Sequence, residues 1–118
     1  MAVQSTRSTV ITYTGDVTGT EEIDAAANTA SPGAISIQSL SSGANTITVP
    51  SSTGITVTAV TIVPPAGNTT SITLKGVTGD TGVRVHDTDP TTISLYSTTS
   101  SFCLTAGAAI QGVRFYWS

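Results

Sequence analysis

Ile62-Val63-Pro64-Pro65, Ser71-Ile72-Thr73-Leu74-Lys75-Gly76, Gly79-Asp80-Thr81-Gly82-Val83-Arg84-Val85-His86, Thr92-Ile93-Ser94-Leu95, Ser101-Phe102-Cys103-Leu104-Thr105 and Gly112-Val113-Arg114-Phe115-Tyr116-Trp117 follow one another across the C-terminal half of the chain. In most of these runs apolar and polar residues alternate, and most are fenced by Gly, Pro, Asn or Asp. Period-two alternation places one set of side chains on one face of a pleated strand. Short strands at regular spacing with turn residues between them predict an all-β fold, an antiparallel two-sheet sandwich. A jelly roll is the preferred form. An immunoglobulin-like sandwich is second, because the paired cysteines around a central Trp are missing.

Working outward, Thr9-Val10-Ile11-Thr12-Tyr13 reads as a strand ended by Gly15-Asp16, and Ala34-Ile35-Ser36-Ile37-Gln38 as a strand with Ile35 and Ile37 on one face. Ser41-Ser42-Gly43-Ala44-Asn45 turns the chain into Thr46-Ile47-Thr48-Val49-Pro50. Between Gly54 and Val63 the apolar parity switches from Ile55, Val57 and Ala59 to Val60 and Ile62, which predicts a bulge or a bend between sheets. Glu21-Glu22-Ile23-Asp24-Ala25-Ala26-Ala27-Asn28 fits either a short helix capped by Thr20 or an irregular strand. About eight strands are expected in one domain over residues 9–118, preceded by a polar N-terminal arm, flexible or ordered on a partner, at residues 1–8. Trp117, on the same face as Phe115, is expected to close the core.

Charged residues are 9% of the 118, against about 25% in an ordinary soluble domain. Thr and Ser fill the gap, with 24 and 15 copies. The four basic residues, Arg7, Lys75, Arg84 and Arg114, are too few and scattered to neutralise a phosphate backbone, so no nucleic-acid partner is expected. Sheet edges are commonly guarded by Lys, and only Lys75 is present. That shortage favours edges covered by neighbouring subunits. No apolar run approaches a membrane span. Met1-Ala2-Val3-Gln4-Ser5-Thr6-Arg7 has no apolar segment of the kind a signal peptide needs, so assembly in the cytoplasm is expected.

The candidate chemistry is thin. Gly76-Val77-Thr78-Gly79-Asp80-Thr81-Gly82 has the glycine content of a phosphate loop, but Val83-Arg84-Val85 continues as a strand where a helix is required. Tight-turn glycine is the simpler reading. Asp80, Asp87 and Asp89 could supply oxygen ligands to Ca²⁺, yet the EF-hand spacing is absent and Asx-turns before Pro90 explain the same residues. His86 is the one histidine, and no Gly-x-Ser-x-Gly elbow accompanies it, so no enzyme, catalytic residue, metal or cofactor is expected. Cys103, lying between Phe102 and Leu104, reads as a buried small hydrophobe. Asn68-Thr69-Thr70 is a glycosylation triplet in form and a hairpin loop in the simpler reading.

Asn45-Thr46-Ile47-Thr48-Val49-Pro50, Ile62-Val63-Pro64-Pro65-Ala66-Gly67-Asn68, Leu74-Lys75-Gly76-Val77-Thr78-Gly79-Asp80-Thr81-Gly82 and Leu104-Thr105-Ala106-Gly107-Ala108-Ala109-Ile110-Gln111-Gly112-Val113-Arg114 together resemble small structural proteins of tailed bacteriophages. The likeness spans about residues 28–118 and is one of phrase, with no catalytic signature and no functional residue to carry over. It implies a β-sandwich of the virion, first a capsid decoration (cement) protein and next a neck or tail component. The implied partners are the major capsid protein or other virion proteins and further copies of this chain, with a trimer favoured. A carbohydrate-binding or adhesin module is the alternative from a different class.

Overall fold

In the computed structural model, which describes residues 3–16 and 19–118, the regular elements are all β-strands and every pairing is antiparallel. The strands are β1 (Val3–Ser5), β2 (Ser8–Tyr13), β3 (Gly19–Asp24), β4 (Asn28–Ser31), β5 (Ala34–Leu40) and β6 (Gly43–Thr48). They continue as β7 (Ala59–Val63), β8 (Ile72–Lys75), β9 (Val83–Val85), β10 (Thr91–Ser94), β11 (Ser101–Ala106) and β12 (Ile110–Trp117). Two four-stranded sheets, ordered β10-β7-β12-β5 and β6-β11-β8-β9, form the sandwich. Two ribbons, β1-β4 and β2-β3, are additional.

The pairing is nested. Of the eight sandwich strands, the first (β5) pairs with the last (β12), β6 with β11, β7 with β10 and β8 with β9. The chain changes sheet at every step except β8 to β9. Period-two alternation then dictates the core. Val113, Phe115 and Trp117 of β12 point inward, as do Phe102, Leu104 and Ala106 of β11. The two sheets meet at Phe102 and Trp117, whose ring centroids are 6.3 Å apart, while Phe115 stacks on Trp117 at 5.9 Å. Such aromatic contacts add about 0.5–1.5 kcal/mol each beyond the area they bury. The indole is also satisfied: Trp117 Nε1 donates to Ser36 Oγ at 2.9 Å.

Two turns are fixed by single residues. Asn45 Nδ2 donates to the carbonyls of Ser41, Gly43 and Leu104, while its Oδ1 accepts from Ser41 N, which locks the β5–β6 connection to β11. Gly82 has φ +76°, and a Cβ there would lie 2.5 Å from the Leu74 carbonyl oxygen. The glycine-rich Gly76–Gly82 stretch is thus the β8–β9 turn. Asp80 N donates to Val77 O, and Asp80 Oδ2 accepts from Val77 N.

Several sequence readings need adjusting. Glu21–Asn28 contains no helix; Gly19–Asp24 is β3, because its backbone groups are satisfied by β2. From Gly54 to Val63 the strand starts only at Ala59. Before it, Thr56 N donates to Ala30 O and Thr58 N to Ser118 O, so the parity switch marks the crossing from β6 to the opposite sheet. In the N-terminal arm, Met1 and Ala2 lie outside the described residues, Val3–Ser5 is paired with β4, and Ser8 opens β2. Ile35 and Ile37 share a face, and that face looks outward. They are 60% and 70% exposed, because Ala34 and Ser36 are registered opposite the inward Trp117 and Phe115.

Candidate interaction surface

The β2-β3 ribbon stands apart from the sandwich. Its strand residues are all exposed, unlike those of any other pair of strands here. The Cα radius of gyration is 15.6 Å, against about 13.5 Å for a compact domain of this length. The ribbon accounts for that excess as a protrusion. Its sequence suits a strand that lies against another surface. Val10 and Ile11 are adjacent, so both faces carry an apolar residue. Register separates the faces: Thr9, Ile11, Tyr13, Glu21 and Ile23 share one, and Ser8, Val10, Thr12, Thr20, Glu22 and Asp24 share the other.

The base of the ribbon is anchored on the sandwich. Ala25 N donates to Arg7 O at 2.9 Å, and Arg7 Nη1 donates to Ser94 Oγ at 3.1 Å. A cleft of about 470 Å³ lies between Arg7, Thr9 and Ile23 on one side and Thr61, Thr92 and Ser94 on the other. Ser8 and Asp24 of the opposite face border the same cleft, and the face bearing Thr9 and Ile23 meets it beside the outer surface of β7 and β10. Further out, the same face carries Ile11, Tyr13 and Glu21, all exposed.

The outer surface of that sheet is an ordered array. Cross-strand register aligns Ile35, Tyr116, Thr61 and Thr92 in one row, and Ile37, Arg114 and Val63 in the next. Arg114 lies over the Tyr116 ring, 5.9 Å from its centroid, and donates to Tyr116 Oη at 3.2 Å. The stacking holds a cation in an apolar setting. Among the described residues no carboxylate is within salt-bridge distance of it. Lys75 sits on β8, an interior strand, so the one lysine guards no edge, and β5 presents a seven-residue free edge without a charge.

The residues weighed for chemistry are scattered. Asp80 is used in its own turn, away from Asp87 and Asp89, and no group of three or more metal-type ligands forms among the described residues. Asp87 pairs with Arg84 at 3.1 Å, and His86 Nδ1 accepts from Thr88 N and Asp89 N at 3.1 and 2.8 Å. The imidazole thereby organises the turn before Pro90, doing what an Asx side chain does elsewhere. An open cleft of about 580 Å³ runs beside His86, Asp87 and Asn68, with no Trp, Tyr or Phe in its lining. Asn68 is engaged three times, donating to Thr70 O and Asp87 O and accepting from Thr70 N, which makes it the pin of its loop.

No protein-family profile matches this chain, and neither a curated protein nor a solved structure matches it.

Cys103 is buried, but on the opposite face of β11 from Phe102 and Leu104, registered between Thr46 and Lys75. Beside it, Thr105 Oγ1 is buried with no hydrogen-bond partner among the described residues. No helix among the described residues is long and apolar enough to cross a membrane.

The sequence reading singled out neither the ribbon nor the Arg114 surface. A signal for the first was present: four of the seven acids, Asp16, Glu21, Glu22 and Asp24, fall within residues 8–24, which contain no base. For the second there was none, because the outward direction of Ile35 and Ile37 depends on their pairing with β12.

Proposed function

We propose that this protein is a structural component of a tailed-bacteriophage virion, a decoration protein that binds the outside of the head shell as a symmetric oligomer. The observation that carries the reading is the exposed β2-β3 ribbon. An isolated two-stranded ribbon is marginal in water, and this one presents Val10, Ile11, Tyr13 and Ile23 to solvent. Such an element is stabilised by lying on a neighbour, as in a shell built from repeated contacts. The charge-poor surface and the uncharged β5 edge suit the same setting, in which many weak contacts sum by avidity.

The nested strand order supports the jelly-roll form over the immunoglobulin one. Two sheets of four strands, wired as one long hairpin folded on itself, differ from the uneven sheets of the immunoglobulin sandwich. Jelly rolls serve both viral shells and lectins, so the wiring leaves the carbohydrate-binding alternative standing. The lining of the His86 cleft weighs against that alternative, because no Trp, Tyr or Phe ring is placed there to stack on a sugar. His86 Nδ1 is taken up by the backbone N–H groups of its own turn and Cys103 is buried, which favours a non-enzymatic role. A neck or tail position is the nearest variant within the virion reading.

Purified protein mixed with expanded phage heads is expected to cosediment with them and to appear as regular external density in particle images. Failure to bind heads, with binding to connector or tail complexes, moves the assignment to the neck or tail. Binding to neither virion part, with binding on a glycan array, replaces it with the carbohydrate reading.

A further inference from the structure

We infer that the ribbon face carrying Ile11, Tyr13 and Glu21 packs on the outer surface of β12 and β5 of a second copy of this chain, with Glu21 set against Arg114. Three observations converge. Among the described residues the ribbon's base is tied to the sandwich by Arg7 and borders a cleft at Thr9 and Ile23, while every strand residue of the ribbon is exposed. At its base that face borders a cleft beside a sheet's outer surface. A neighbour's sheet would meet Ile11 and Tyr13, which nothing among the described residues covers.

The receiving surface matches it in both shape class and charge. Ile35, Ile37, Val63 and Tyr116 form an apolar patch with Arg114 in its midst. Arg84 is already paired with Asp87, and Lys75 lies on the other sheet, so Arg114 is the cation that such a patch offers. Residues 8–24 carry four acids and no base, whereas the rest of the chain carries four bases and three acids. Two ribbons brought together would repel, but a ribbon on a sandwich would attract. The contact joins two different surfaces, which closes either as a two-fold exchange of ribbons or as a head-to-tail ring. This inference goes beyond the virion reading and does not depend on it.

The test is the oligomeric state of the full chain by sedimentation velocity and native mass spectrometry. The wild type is expected to form a closed oligomer that loosens as salt rises. Arg114→Glu and Glu21→Arg are each expected to raise the dissociation constant per contact about tenfold or more. The doubly reversed variant should recover most of the loss, and the two single variants mixed should associate better than either does alone, because the ribbon of each then meets a sheet surface of opposite charge on the other. Both positions are exposed, so unchanged melting of each single variant separates lost assembly from lost folding. A wild-type monomer at the highest soluble concentration overturns the inference, as does an oligomer indifferent to both single reversals, the outcome expected if β5 edges pair with each other. A doubly reversed variant no better than the singles also overturns it. An oligomer with these couplings that never binds phage heads upholds the contact and removes the decoration role; a monomer that decorates heads does the reverse.

Discussion

The sandwich and the β2-β3 ribbon are built from the same alphabet of Thr, Val, Ile and Ser, yet they stand at opposite ends of the stability scale. In the sandwich, alternation on β11 and β12 buries Phe102, Leu104, Phe115 and Trp117 between two sheets. In the ribbon, Val10, Ile11 and Ile23 have the same strand propensity but no second layer to bury against. Hydrogen-bonded pairing alone gives a strand its shape. Its stability comes from what lies beneath it. The apolar residues of the ribbon are therefore a surface awaiting cover, while those of the sandwich are a core.

That contrast can be broken most forcefully at Phe115. Phe115→Ala, at a fully buried side chain between Trp117 and the facing sheet, is expected to cost about 3–5 kcal/mol in denaturant unfolding. Tyr13→Ala in the ribbon should leave the isolated subunit within about 0.5 kcal/mol of wild type. Comparable losses at the two sites would mean that the ribbon belongs to the cooperative core.

Gly82→Ala comes next. The added Cβ meets the Leu74 carbonyl, and positive φ adds strain, so about 2–3 kcal/mol should be lost in thermal melts. Asn45→Ala removes the hydrogen bonds that tie the β5–β6 turn to β11, and a loss of about 1–2 kcal/mol is expected. A wild-type melting temperature for either variant would show that the turn is held by its flanking strands alone.

Thr105→Val sharpens the comparison from the other side. It removes a buried hydroxyl without a protein partner, so stability should be unchanged or rise by about 1 kcal/mol. A clear loss would reveal a partner for that hydroxyl. The smallest effect is expected for Ile37→Thr on the outer sheet face, within about 0.5 kcal/mol for the lone subunit. Its influence should surface only in assembly. Amide exchange offers a complementary view: β2 and β3 should exchange well before β11 and β12, and the ribbon should gain protection at concentrations where copies associate. Uniform protection in the dilute subunit would contradict the division drawn above.

The strand class, the turns at Asn45, Pro64-Pro65 and Gly76–Gly82, and the shared inward face of Phe115 and Trp117 were legible in the sequence. Each follows from local rules of period, φ preference or hydrogen-bonding capacity acting within a few residues. The candidate surface was not. Ile35 and Ile37 have the spacing of a core stripe, and only the register that sets Trp117 opposite Ala34 and Phe115 opposite Ser36 turns them outward. A shift of one residue would reverse the two faces, and no local feature of Ala34–Leu40 fixes which occurs. The nested order of eight strands, the late start of β7 at Ala59 and the stand-off of the ribbon were likewise decided by long-range pairing. Period and composition specify which residues can face a core; which core, and on which side of it each strand lies, is set by partners far away along the chain.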